Sequence, residues 1–247
     1  MANSIAESYD PEECPSVITV NKDALLRRTS HAVLGELAAY FEFLRQSLRN
    51  IVIDAEQYKT QARLLYKESF WETFVTKAMS ERRVETQIWD FKNTLEMWHC
   101  DAEKKTDFQI DFAEHVASFA NADGGILIIG ITDKFPRKPV GIKDLENKIK
   151  SAKLALNTFI QRPCSVHFQQ ITLKDSNSKY FNCLIIAIAD ASSVVKVKHK
   201  DGKFSYPLRQ GTGKIRSDFE TISSSKKRGI QHDNYDFLQS LEDFIKG

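Results

Sequence analysis

Residues 84–94, which read VETQIWDFKNT, place charged side chains in a segment that otherwise has the pattern of a buried strand. Asp90 and Lys92 are two residues apart, so a strand would place both on one face. This pairing suits phosphodiester cleavage, because the carboxylate can hold a divalent metal and the ammonium can stabilise charge that develops on the phosphate. Oxygen ligands favour Mg²⁺ or Mn²⁺ over zinc.

Two further carboxylates could complete such a site. Glu85 is five positions before Asp90, and this odd offset would put the two side chains on opposite faces of one continuous strand. A bend near Thr86 would be needed to bring them together. Asp133 ends the apolar run ILIIGITD, and sites often form at the ends of sheet strands. The competing interpretation is that all of these are ordinary surface charges, and the spacing alone favours it.

The elements that position these residues follow from periodicity. Apolar residues recur at helical spacing from Val33 to Leu48 and again from Tyr58 to Phe74, after a polar lead-in. We therefore expect an N-terminal helical hairpin, with a role in packing or dimerisation. After Arg83 the period changes to that of strands alternating with helices.

The remaining patterns predict an α+β domain with a mixed β-sheet flanked by helices. Thr106 and Gln109 form a capping-box pattern that predicts the start of one helix, and a second helix is expected over 143–161. The run ILIIGITD predicts a buried central strand. Two hairpins follow, one with KDSNSK as its turn and one around Asp201-Gly202.

The end of the chain has the pattern of a basic linker followed by an amphipathic C-terminal helix. We accordingly divide the chain into three parts: a lead-in and helical hairpin (1–80), the α+β domain (81–222), and the linker with the final helix (223–247).

Composition narrows the protein class. The 247 residues are 42% hydrophobic and 28% charged, as in a globular protein, and the net charge of +2 requires any basic surface to be local. No apolar run could span a bilayer and no signal peptide is visible, so we expect no membrane contact. None of the four cysteines has paired zinc-ligand spacing. Thiols of this kind fit a reducing compartment, which predicts an intracellular and cytoplasmic location.

A cluster of lysines surrounds the Asp201-Gly202 hairpin and could contact phosphates. The alternative is that these lysines protect a sheet edge from pairing with another sheet. The cluster consists of Lys196, Lys198, Lys200 and Lys203.

The linked segments VETQIWDFKNT, FAEHVASFANADGGILIIGITD and VGI resemble the AlbA_2-type domain of the Schlafen family. The late segment FSYPLRQGTGK resembles that family's aromatic strand with Arg, Gly and Thr, and places Arg209 and Lys214 in the motif. The resemblance covers about residues 81–222. Its three catalytic acids correspond to Glu85, Asp90 and Asp133, with Lys92 as the strand lysine. The second acid is usually Glu in this family, whereas here it is Asp90.

The resemblance implies a metal-dependent endoribonuclease that cleaves structured RNA such as tRNA or rRNA, with Mg²⁺ or Mn²⁺ as cofactor. The rival hypothesis is a module that binds RNA or DNA without cutting it, in a regulator or an assembly subunit. RNA is the expected partner through the lysine cluster, Arg209 and Lys214, and DNA is the alternative. A second copy or another protein could pair with the N-terminal hairpin.

Overall fold

The structure is a computed structural model that describes residues 38–46, 48, 61, 63–82, 87–161, 164–226 and 234–247. The chain divides into two units, residues 1–57 and 58–247. In the first unit, residues 38–46 and 48 are helical. The rest of the predicted N-terminal hairpin in that unit lies outside the described residues. The domain boundaries predicted from the sequence therefore remain predictions.

The helices described in the second unit pack around two sheets. We number them α1 (Glu68–Ser80), α2 (Ala102–Asn121), α3 (Leu145–Phe159), α4 (Phe219–Ser225) and α5 (Phe237–Lys246). A short 3₁₀ helix, Glu96–Trp98, precedes α2.

The strands are β1 (Trp89–Lys92), β2 (Gly125–Ile129), β3 (Val166–Lys174), β4 (Tyr180–Ile188), β5 (Val197–Lys198), β6 (Phe204–Gln210) and β7 (Gly213–Ser217). Helices follow β1 and β2 in the chain, whereas β3 to β7 come one after another, and β7 and α4 were not predicted from the sequence.

The larger sheet has the order β1-β2-β4-β3. Its β1 and β2 are parallel, whereas β4 runs antiparallel to both β2 and β3. The sheet is therefore mixed, and the predicted α+β class is confirmed. β2 is interior and fully buried, as its uninterrupted apolar sequence indicated. The smaller sheet is the antiparallel set β5-β6-β7.

The larger sheet separates two apolar clusters, because successive side chains of a strand point to opposite faces. In β2, Leu127 and Ile129 belong to the cluster that includes residues of α2 and α3. Ile126 and Ile128 belong to the cluster on the other face, which includes residues of α1 and α5. The amphipathic C-terminal helix predicted from the sequence is thus present, and its apolar face is part of the core.

Two local predictions were wrong. α2 begins at Ala102, one turn before the capping box at Thr106, because the backbone carbonyl of Asp101 already accepts the N–H groups of Lys104 and Lys105. The helical pattern from Tyr58 to Phe74 is also interrupted, since Lys67 has an extended backbone directly before α1.

The turn from α2 into β2 depends on glycine. Gly124 has a φ of 73°, a left-handed conformation that glycine adopts readily. A Cβ atom on this residue would lie 2.8 Å from both the Asp190 nitrogen and the Ile188 carbonyl oxygen. The close approach of these segments fixes where β2 starts beside β1 and β4.

No helix in the described part of the chain has both the length and the apolar character needed to cross a membrane.

Candidate functional site

Asp90 lies in the middle of β1, with Leu127 of β2 as its neighbour in the register. Its neighbours Trp89 and Phe91 pack in the cluster that contains α1 and α5. The alternation therefore turns Asp90 toward α2, and its exposed fraction is only 1%. The Lys92 ammonium contacts the Asp90 carboxylate. The two residues therefore lie on the same face of β1, as predicted.

Three basic side chains surround one oxygen of this buried carboxylate. Asp90 Oδ2 lies 3.2 Å from His115 Nε2, 3.3 Å from Lys92 Nζ and 3.6 Å from Arg209 Nη1. The Arg209 side chain is 0% exposed, and its guanidinium also lies over the Phe119 ring at 4.4 Å from the centroid. A buried carboxylate is costly without compensating charge, and Lys92 and Arg209 supply positive charge beside Asp90.

Asp133 follows β2 and is exposed at the end of β1. Its Oδ1 accepts a hydrogen bond, 3.0 Å long, from the backbone N–H of Asn93, the residue directly after β1. The parallel pairing of β1 and β2 thus brings the Asp133 loop to the strand that carries Asp90. The two carboxylates have different surroundings: basic side chains contact Asp90, and a backbone amide contacts Asp133. Glu85, the first acid of the predicted set, lies outside the described residues.

The donor types and the surrounding charges give opposite indications about a metal ion. Carboxylate oxygens are the ligands that Mg²⁺ and Mn²⁺ prefer. However, the basic side chains around Asp90 already compensate its charge. Within the described ranges, no group of three His, Cys, Asp or Glu side chains is placed to hold a metal. The predicted metal site includes Glu85, which lies outside those ranges.

The lysines of the β5–β6 hairpin differ in their surroundings. Lys200 Nζ lies 2.7 Å from Asp107 of α2, and Lys203 Nζ lies 3.3 Å from Asp201 in the turn. Lys203 remains highly exposed. A phosphate would compete with these carboxylates for both ammonium groups.

The other two lysines of the cluster have aromatic rather than acidic neighbours. Lys196 Nζ lies 4.2 Å from the centroid of the Phe204 ring. Lys198 is exposed and pairs with Phe204 in the register of β5 and β6.

Arg209 and Lys214, the cations of the late motif, make contacts inside the domain. Arg209 points at Asp90 from β6 and has no exposed surface, so its role in this structure is to compensate a buried charge. Lys214 Nζ contacts Asp111 Oδ1 at 2.5 Å and Glu114 Oε2 at 3.3 Å. Phosphate contacts by these two residues stay predictions.

An acidic stripe on α2 was not predicted from the sequence. Asp107, Asp111 and Glu114 recur at helical spacing and face the basic hairpin strands. Glu114 is buried and accepts a hydrogen bond, 2.8 Å long, from the Ser205 hydroxyl. Its Oε1 also lies 3.2 Å from His199 Nε2. The sequence did contain a sign of this stripe. The three acids are four and three residues apart, which places them on one side of a helix, and a run rich in lysine follows later in the chain.

His115 was also missed, although it is one of the three basic side chains at Asp90. His115 follows Glu114 in α2, and consecutive residues of a helix point in different directions. Glu114 faces the small sheet, whereas His115 faces β1. The sequence could not identify His115 as a neighbour of Asp90, because the contact between α2 and β1 is visible only in the structure.

Asn121 closes the end of α2. Its side-chain amide donates to the carbonyl oxygens of Val195 and Pro207, and its Oδ1 accepts the N–H of Val195. This buried amide therefore joins α2 to β6 and to the segment before β5. It has a structural role at the junction of the two sheets.

Similarity to known proteins identifies the family of the chain. The family model described as Schlafen, AlbA_2 matches residues 85–218, more than half of the chain. A comparison with curated proteins found no match. Among solved structures, the crystal structure of the DIP2311 protein from Corynebacterium diphtheriae is similar at a TM-score of 0.40 and 19% sequence identity.

That similarity covers 65% of this chain and 33% of the other, so the matched part is about a third of that protein. The family match includes Glu85, Asp90 and Asp133, together with both sheets and the turn after α2. This chain therefore belongs to the Schlafen AlbA_2 family.

Proposed function

We propose that this chain binds structured, tRNA-like RNA and cleaves it as a divalent-metal-dependent endoribonuclease. The observation that carries the proposal is the contact between the Asp133 carboxylate and the backbone of Asn93. It joins the acid after β2 to the strand that bears Asp90. The membership of the chain in the Schlafen AlbA_2 family supports the same activity.

In this proposal Glu85, Asp90 and Asp133 hold Mg²⁺ or Mn²⁺. The bound ion would supply an activated water or RNA 2′-hydroxyl and polarise the phosphate. Lys92 is partly exposed beside Asp90 and is placed to stabilise negative charge on a phosphate at the surface.

A second candidate function is RNA or DNA binding without cleavage. The basic side chains around Asp90 favour it, because the carboxylate already has partners at 3.2, 3.3 and 3.6 Å. In that case Asp90 would serve stability alone. The two functions differ in their need for metal, which an experiment can separate.

The test incubates the purified chain with total tRNA in Mg²⁺, in Mn²⁺ and in EDTA. Cleavage is expected with metal only. The variant Asp133→Asn should lose cleavage while it keeps its fold, because Asp133 is exposed and an amide oxygen can still accept the Asn93 N–H. The matched control is Asp243→Asn, which changes a carboxylate on α5, and it should cleave normally.

Two results would overturn the nuclease proposal. One is equal cleavage by wild type and Asp133→Asn. The other is binding of tRNA without cleavage in any of the three conditions, which establishes the non-cleaving module instead.

A further inference from the structure

The small sheet β5-β6-β7 has an inner and an outer face. Ser205 contacts Glu114 and Arg209 contacts Asp90, so alternate residues of β6 point toward α2 and β1. Phe204 and Tyr206 must therefore project from the opposite, outer face.

The outer face exposes aromatic and aliphatic side chains. Phe204 is 40% exposed, Ile215 of β7 is 43% exposed, and Phe219 at the start of α4 is 51% exposed. The rings of Tyr206 and Phe219 meet edge to face with their centroids 6.1 Å apart. A cavity of about 370 Å³ opens beside them, lined by Gln161, Val194, Lys196, Tyr206 and Phe219.

Two lysines flank these rings, and neither lysine has a carboxylate partner in the described part of the chain. Lys196 Nζ lies 4.2 Å from the Phe204 centroid, and Lys198 extends from the register position beside the same ring. Lys200 and Lys203, by contrast, are each paired with an aspartate. The charge that remains available for an anionic ligand is thus located next to the exposed aromatics.

We propose that this outer face binds single-stranded RNA, with Phe204 and Tyr206 stacking on bases and with Lys196 and Lys198 contacting phosphates. The inference rests on the proposed function in that RNA is the ligand. Stacking on exposed rings tolerates any base, and adjacent cations follow the backbone. A protein partner fits this face less well, because lysine is depleted at the centres of protein interfaces.

The test measures binding of a fluorescent, single-stranded oligonucleotide by anisotropy, and stacking through a 2-aminopurine placed within it. Phe204→Leu keeps an apolar side chain but removes the ring. Removing a ring that stacks on one base weakens binding by roughly 5-fold or more, so the dissociation constant should rise by at least about 5-fold. The quenching of 2-aminopurine should fall in parallel, and Phe204→Tyr should restore both.

Tyr180→Leu is the matched control, because Tyr180 is an exposed aromatic on the larger sheet with Lys174 Nζ 5.7 Å from its ring. It should bind like wild type. Lys198→Gln should weaken binding and make it less dependent on salt, as the loss of one phosphate contact requires.

If wild type and Phe204→Leu bind the oligonucleotide equally, the stacking face is refuted while cleavage of tRNA can still stand. The stacking face is also refuted if the chain cleaves tRNA but does not bind single strands. If the chain binds neither RNA, the inference and the proposed function both fail.

Discussion

Asp90 lies among basic side chains, with His115, Lys92 and Arg209 all contacting one oxygen of its carboxylate. Replacing its charge would leave Arg209, which has no exposed surface, without compensation from this carboxylate. Breaking one partner out of a buried ion cluster costs several kcal/mol. We expect Asp90→Asn to lower the free energy of unfolding by about 3 kcal/mol, measured by urea denaturation.

Asp107→Asn is the matched control for this prediction. Its carboxylate pairs with Lys200, and both side chains are largely exposed. The cost should stay below about 1 kcal/mol, because exposed ion pairs contribute little. Equal losses in the two variants would contradict the role of Asp90 as the centre of a buried cluster. If an Asp90 variant loses cleavage, its stability must also be measured, because unfolding alone would abolish the activity.

We expect His167 on β3 to make the stability of the protein depend on pH. Burial of the ring lowers the pKa of His167 below its usual 6.5, and the charge of Lys153 acts in the same direction. The hydrogen bond that the ring Nε2 donates to Gln169 Oε1 acts against them. The folded protein therefore binds fewer protons than the unfolded chain as the pH falls through 6.5. The stability that this neutral ring provides is present above pH 6.5 and is lost at lower pH.

Substitution should isolate that contribution. The free energy of unfolding of His167→Gln should fall less steeply between pH 7 and 5 than that of wild type, as measured by urea denaturation at several pH values. Identical pH profiles would mean that the His167 ring does not couple protonation to folding.

Among the helices and strands, the turn after α2 sets the position of β2 in the larger sheet. Gly124→Ala would force a Cβ to within 2.8 Å of the Asp190 and Ile188 backbone at a φ of 73°. Strain and overpacking together should cost about 2–4 kcal/mol. Gly213→Ala is the control, because a Cβ there meets no atom within 4 Å. Thermal or urea unfolding should separate the two variants, and similar stabilities would contradict this role of Gly124.

The same elements show what periodicity could predict. β2, α3 and the β5–β6 hairpin follow directly from an apolar run, a helical stripe and the Asp201-Gly202 turn. The start of α2 did not follow, because the Asp101 carbonyl provides a start that needs no capping side chain. Local patterns identify an element well, but its ends depend on backbone hydrogen bonds that the sequence does not display.

For the whole molecule, the net charge of +2 conceals a strong local separation of charge. The acids of α2 neutralise several cations of the small sheet, which include Lys200 and Lys214. Arg209 is used inside the domain as well. Counting lysines and arginines along the chain therefore does not show how many of them lack an acidic partner inside the domain.

The sequence predicted which strand carries Asp90 and Lys92, but not which side chains from other elements surround Asp90. The strand positions of Asp90 and Lys92 follow from the two-residue period of β1. The basic side chains from α2 and β6 could not be predicted, because they reach Asp90 from 25 and 119 positions along the chain. Such contacts depend on how the two sheets pack around α2.

The proposal that Glu85, Asp90 and Asp133 hold a catalytic metal can be tested by titrating Mn²⁺ into the purified chain in a calorimeter. Wild type and the control Asp243→Asn should bind Mn²⁺, whereas Glu85→Gln and Asp133→Asn should lose that binding while they remain folded by circular dichroism. Undiminished Mn²⁺ binding by both site variants, or no binding by wild type, would contradict the proposal.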